Sequence, residues 1–94
     1  MKRSPVAVEF YGVARIAVGT TGIGIETEFP VTLGELVRLV ESGLPNDAAG
    51  QLMKDGKLAP GIIINLDGRR FETEMDTVIS SVDSMIFMSI DVGG

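Results

Sequence analysis

One stretch limits the folds open to this chain more than any other. Thr32-Leu33-Gly34-Glu35 is a capping box, in which the Thr32 hydroxyl can accept from the Glu35 backbone N–H while the Glu35 carboxylate reaches back. A helix starts here. Leu33, Leu36, Val37 and Val40 then fall at i, i+3, i+4 and i+7 and form one apolar stripe, with Glu35, Arg38 and Glu41 outside it, and Gly43 stops the helix. Such a stripe can line a partner groove, but its commoner use is to cover a sheet.

The chain supplies that sheet on both sides of the helix. Val6, Val8 and Phe10 alternate with Ala7, Glu9 and Tyr11, the two-residue period of a half-buried strand, and Gly12 closes it. Val13 to Gly22 shows no clean period and reads as an irregular passage or wide turn. Ile23, Ile25, Thr27 and Phe29 alternate again until Pro30. After the helix, Pro45-Asn46-Asp47 predicts a second, shorter helix through Ala48, Ala49, Leu52 and Met53, capped by Asn46 or Asp47. Lys54-Asp55-Gly56-Lys57 is a turn.

Ile62-Ile63-Ile64 with Leu66 is the strongest strand signal. Asp67-Gly68 follows as a two-residue hairpin turn that folds Arg69, Arg70 and Phe71 back against it. The arginine pair suits either an anion site or a hairpin tip kept soluble by charge. Thr73 to Asp83 is a turn-rich connection with room for one helical turn, and Met85 to Ile90 is the last strand. Strand, strand, helix, strand, strand, strand describes an α+β two-layer domain spanning residues 1–94, without internal repeats.

Composition narrows the function. A hydrophobic fraction of 45% with mean hydropathy of +0.31 argues for a folded chain. There is no Cys and no His, which removes thiol nucleophiles, disulfides, the usual neutral-pH general base and the commonest metal ligands. No metal site is expected. A net charge of -5 disfavours nucleic acid and suits a basic protein partner. Met1-Lys2-Arg3-Ser4-Pro5 is basic but lacks a following apolar run, and nothing approaches a membrane span, so the chain reads as cytoplasmic. The sequence ends in Val92-Gly93-Gly94, a thin stalk that fits a slot too narrow for side chains. Glycine is common enough for such a pair to arise by chance.

The order of elements and the Gly-Gly end together resemble the ubiquitin-like β-grasp family, and within it the small sulfur carriers of the MoaD and ThiS type. The likeness is carried by Val8-Glu9-Phe10-Tyr11, Thr32-Leu33-Gly34-Glu35-Leu36, Asp55-Gly56-Lys57-Leu58, Asn65-Leu66-Asp67-Gly68-Arg69, Asp83 and Gly93-Gly94. The length of Leu44 to Pro60 favours the MoaD side. Ser89-Ile90-Asp91-Val92 departs from the Pro-Pro-Val run that usually precedes the MoaD tail. The resemblance implies a β-grasp, a mixed sheet of about four to five strands packed on one main helix, with a free tail at about residues 91–94.

It also bears on the register of the last strand. By pattern alone, Ile86, Met88 and Ile90 face inward, because Ser89 and Asp91 on the other face are polar. Counting back from Gly93 as in the family puts Met85 and Phe87 in the core, with Ile86 and Met88 outside. The second register predicts an exposed apolar patch of Ile63, Ile86 and Met88 beside the tail, as partner surfaces often show.

For function, the resemblance implies a sulfur carrier. A ubiquitin-activating-type adenylating enzyme uses ATP to activate the carboxylate of Gly94, sulfur converts it to a thiocarboxylate, and Val92-Gly93 carry it into another active site. The chain binds no cofactor itself. By that resemblance it is expected to act as a carrier subunit or co-substrate of a molybdopterin-synthase-type sulfurtransferase, partnered by that complex's large subunit, in molybdenum cofactor biosynthesis. The alternatives are sulfur supply for thiazole or tRNA thiolation, a ubiquitin-like modifier joined to lysines through Gly94, and a non-covalent β-grasp interaction module.

Overall fold

A computed structural model describes residues 3–45, 48 and 50–90. The elements run β1 (Ser4–Phe10), α1 (Gly12–Val18), β2 (Gly22–Thr27), β3 (Val31–Thr32), α2 (Leu33–Ser42), β4 (Met53–Lys54), β5 (Lys57–Leu58), β6 (Ile62–Leu66), β7 (Arg70–Glu72), β8 (Val78–Ile79) and β9 (Ser84–Ser89). Five strands form the main sheet in the order β2-β1-β9-β6-β7. β1 and β9 pair in parallel and all other neighbours are antiparallel. The two pairs β3-β8 and β4-β5 stand apart.

The capping box forms as the sequence dictates. Glu35 N–H donates to Thr32 Oγ1 at 3.1 Å, and Thr32 N–H donates to Glu35 Oε1 at 3.1 Å. The four stripe residues Leu33, Leu36, Val37 and Val40 are all fully buried. Each such burial stabilises on the order of 1.5–3 kcal/mol, which is what fastens α2 to the sheet. They share one core with Val6, Val8 and Phe10 of β1, Ile62, Ile64 and Leu66 of β6, and Met85 and Phe87 of β9. The Phe10 and Phe87 rings stack at 5.4 Å across the parallel pair.

Five local expectations need correction. Val13 to Gly22 begins with a helix, not an irregular passage. Gly12 turns the chain at φ 60°, Ala14 and Val18 are buried one turn apart, and Gly19 closes the helix in the left-handed region with its N–H on Arg15 O. Val13, Ile16 and Val18 are β-branched and weak helix formers, so tertiary burial decides the state. The proposed second helix does not form among the described residues. Ala48 and Gly50 lie in turns, and Met53 pairs with Leu58 in a β4-β5 hairpin whose tip, Asp55-Gly56, has two positive φ angles. The proposed caps Asn46 and Asp47, and Ala49, lie outside the described residues.

The connection from Thr73 to Asp83 contains no helical turn, and its Val78–Ile79 instead pairs with Val31–Thr32. At the β6-β7 hairpin, Asp67 and Gly68 take positive φ and Arg69 N–H reaches Leu66 O, as the Asp-Gly signal predicts. The strand register nevertheless resumes with Arg70 opposite Leu66, so three residues separate the strands where two were expected. β2 also stops at Thr27, and Phe29 lies beyond it, half-buried.

Candidate functional site

The residues proposed to carry chemistry, Val92, Gly93 and Gly94, lie outside the described residues, as does Asp91. What the structure describes is the platform from which they continue. β9 occupies the centre of the sheet, between β1 and β6, because Met85 and Phe87 face the core and are fully buried. The inward register is therefore the one taken from the family likeness, and the polar residues Ser89 and Asp91 misdirect the reading by alternation alone.

Ile86 and Met88 point to the other face of the sheet, as does Ile63, which sits directly across from Met88. All three are half-buried, less open than an exposed patch implies. Two further apolar residues extend the surface: Phe71 is 57% exposed and Ile90 43% exposed. Ile63, Phe71, Met88, Ser89 and Ile90 line one shallow depression there. Phe71 was legible only as a hairpin residue. Its place beside the other four depends on the three-residue turn, which sets its register opposite Asn65.

Asn65 is the least expected member of this face. It lies across from both Ile86 and Phe71, is 8% exposed, and its Oδ1 has no hydrogen-bond partner among the described residues. A buried acceptor left unpaired costs about 1–3 kcal/mol. Beyond β9 the outer face turns acidic, with Glu9 opposite Ile86 and Glu26 on β2, both exposed. The Tyr11 hydroxyl donates to the Glu9 carboxylate at 3.3 Å. A partner that met the whole face would need apolar surface over β6 and β9 and positive charge over β1 and β2.

The end of β9 is held from two sides. Tyr11 N–H donates to Phe87 O and Ile90 N–H to Gly61 O, each at 2.8 Å, and Val13 N–H donates to Ser89 Oγ at 2.6 Å. Arg69 and Arg70 stand apart from this, at the β6-β7 turn, with Arg70 Nε 3.5 Å from Glu72 Oε2. That contact and the exposure of Arg70 fit a charged hairpin tip. Among the described residues no group of three acidic side chains is placed to hold a metal ion, and no helix is long and apolar enough to cross a membrane.

A five-stranded mixed sheet closed over one capped helix is the architecture of a ubiquitin-like β-grasp protein. Two solved structures from Haloferax volcanii share it. The crystal structure of SAMP1 superposes with a TM-score of 0.71 at 14% identity, over 97% of this chain and 100% of that one. The solution structure of the HVO 2177 protein superposes with a TM-score of 0.67 at 24% identity, over 98% of this chain and 88% of that one. At these identities the likeness establishes the fold. No protein-family model matches the sequence, and no curated protein matches it.

Proposed function

We propose that this chain is a ubiquitin-like sulfur carrier, activated at the carboxylate of Gly94, and that its sulfur goes to a pterin precursor in molybdenum cofactor biosynthesis. The observation that carries the reading is the placement of β9. The central strand buries Met85 and Phe87 on its inner face and ends at Ser89, five residues before Gly94, beside an apolar outer face. The proposal requires Gly94 to be the carboxyl terminus of the protein.

The chemistry follows from what a carboxylate lacks. It is a poor acyl donor because oxide is a poor leaving group. An adenylating partner therefore joins Gly94 to AMP, with pyrophosphate leaving ATP, and a sulfur nucleophile then displaces AMP to give the thiocarboxylate. The carrier needs no Cys or His of its own for this, because the reactive atom rides on the main chain. Its domain supplies recognition, through Ile63, Ile86 and Met88, with Phe71 and Ile90 beside them.

One observation favours keeping a second reading. Ser89-Ile90-Asp91-Val92 is unlike the run that precedes the tail in MoaD-type carriers, and the same acyl-adenylate can be passed to a lysine amine instead of a sulfur. The protein would then be a modifier. Intact mass of the protein purified from its native host separates the two. A species with one terminal oxygen replaced by sulfur supports the carrier, a larger lysine adduct supports the modifier, and the free acid alone, even with the native adenylating enzyme and ATP present, contradicts both.

A further inference from the structure

We propose that Ser89 is a positioning residue for this transfer: its hydroxyl clasps the first turn of α1 and thereby fixes the point from which the chain continues toward Gly94. The inference rests on the carrier reading and adds to it the residue that prepares the tail for handover.

Ser89 has the same strand parity as Met85 and Phe87, so it occupies an inward position at the end of β9, where an apolar side chain would ordinarily be placed. The reason for a hydroxyl there lies in α1. Helices begin with backbone N–H groups that have no partner within the helix. The residue at the N-cap position, Tyr11, makes no side-chain capping bond. The Val13 N–H is instead met by Ser89 Oγ at 2.6 Å, from 76 residues further along the chain.

Gly12 completes the fit. It holds φ at 60°, and a Cβ built on it would collide with Ser89 Oγ and lie 3.0 Å from Ser89 Cβ. The clasp thus needs a glycine on one side and a small hydroxyl on the other. With Ile90 N–H bound to Gly61 O, the final stretch of β9 is held from α1 and from the loop before β6 at once. A carboxylate that must enter a partner's active site gains from a fixed root, because less freedom is lost on binding.

The test compares the full-length chain with Ser89→Ala and Ser89→Thr in ATP–pyrophosphate exchange catalysed by the adenylating enzyme of the native host, as a function of carrier concentration. Ser89→Ala is expected to raise KM for the carrier roughly 3- to 10-fold with kcat nearly unchanged, and Ser89→Thr, which keeps the hydroxyl, to recover most of the loss. Amide exchange at Val13 should accelerate in Ser89→Ala by a comparable factor, and its melting temperature should stay within a few degrees. Unchanged KM in Ser89→Ala, or unchanged Val13 exchange, overturns the positioning role alone. So does collapse of the melt, which would make Ser89 structural. Absence of pyrophosphate exchange with the unsubstituted chain defeats the carrier reading itself, and the positioning role with it.

Discussion

At the scale of single residues, the capping box shows sequence and structure agreeing bond for bond, while Ser89 shows why agreement can fail. Both are hydroxyls at the start of a helix. Thr32 caps its own helix, so its partner Glu35 lies three residues away and the motif is visible in the sequence. Ser89 caps a helix at the other end of the chain, and no local pattern can reveal that. Replacing Thr32 with Ala should cost about 1 kcal/mol, a fall of roughly 4–8 °C in the melt of a domain this size. The backbone bond from Thr32, its hydroxyl, and more weakly Arg38 hold the Glu35 carboxyl below its usual range. A lowered folded-state value means the contribution is fully present above the ordinary glutamate range and is lost as pH falls through the lowered value. The melting gap between the native chain and Glu35→Ala should therefore be full at neutral pH and close in acid. Asn65 gives a prediction of opposite sign. Since its Oδ1 is buried without a partner among the described residues, Asn65→Val should raise stability by up to about 1 kcal/mol, measured by thermal or denaturant unfolding.

At the scale of elements, what was legible followed from strong periodicity. β1 and α2 each bury one regular set of positions, β6 buries its alternating Ile62, Ile64 and Leu66 with Asn65 buried on the other face, and each element is legible in its sequence. β9 was not fixed by its pattern. It is apolar on both faces, and the hydroxyl at Ser89 tilted the alternation the wrong way. Only the likeness to a family gave the inward set as Met85 and Phe87. The short helix α1 is not legible in the sequence for a related reason: its contacts are with β1 and β9, and its own propensity is poor. The two faces of β9 should respond very differently to substitution. Phe87→Ala removes a fully buried ring stacked on Phe10 and should cost about 3–5 kcal/mol in unfolding measurements. Met88→Asp on the outer face should change stability far less while weakening capture by the adenylating enzyme, read by titration of the purified pair. A Met88→Asp chain that binds as tightly as the original would remove the outer face from the partner surface.

At the scale of the whole molecule, the proposed function divides the labour between a folded domain and the Gly93-Gly94 carboxylate. The β-grasp holds its central strand between two neighbours and delivers the chain to Ile90, with acidic surface over β1 and β2 and apolar surface over β6 and β9. The fold was readable because its elements are ordered by strong local signals. The proposed chemical end is readable only as a pair of glycines, since Gly93 and Gly94 lie outside the described residues. The central claim is that Gly94 carries the activated carboxylate. It is tested most directly by incubating the full chain with the adenylating enzyme of its native host, ATP and a sulfur donor, then locating any change by fragmentation of the intact protein in a mass spectrometer. The account predicts replacement of one oxygen by sulfur at Gly94, dependent on ATP and absent from a chain lacking that residue, whose melt is unchanged. An unaltered Gly94 carboxylate under those conditions would contradict it.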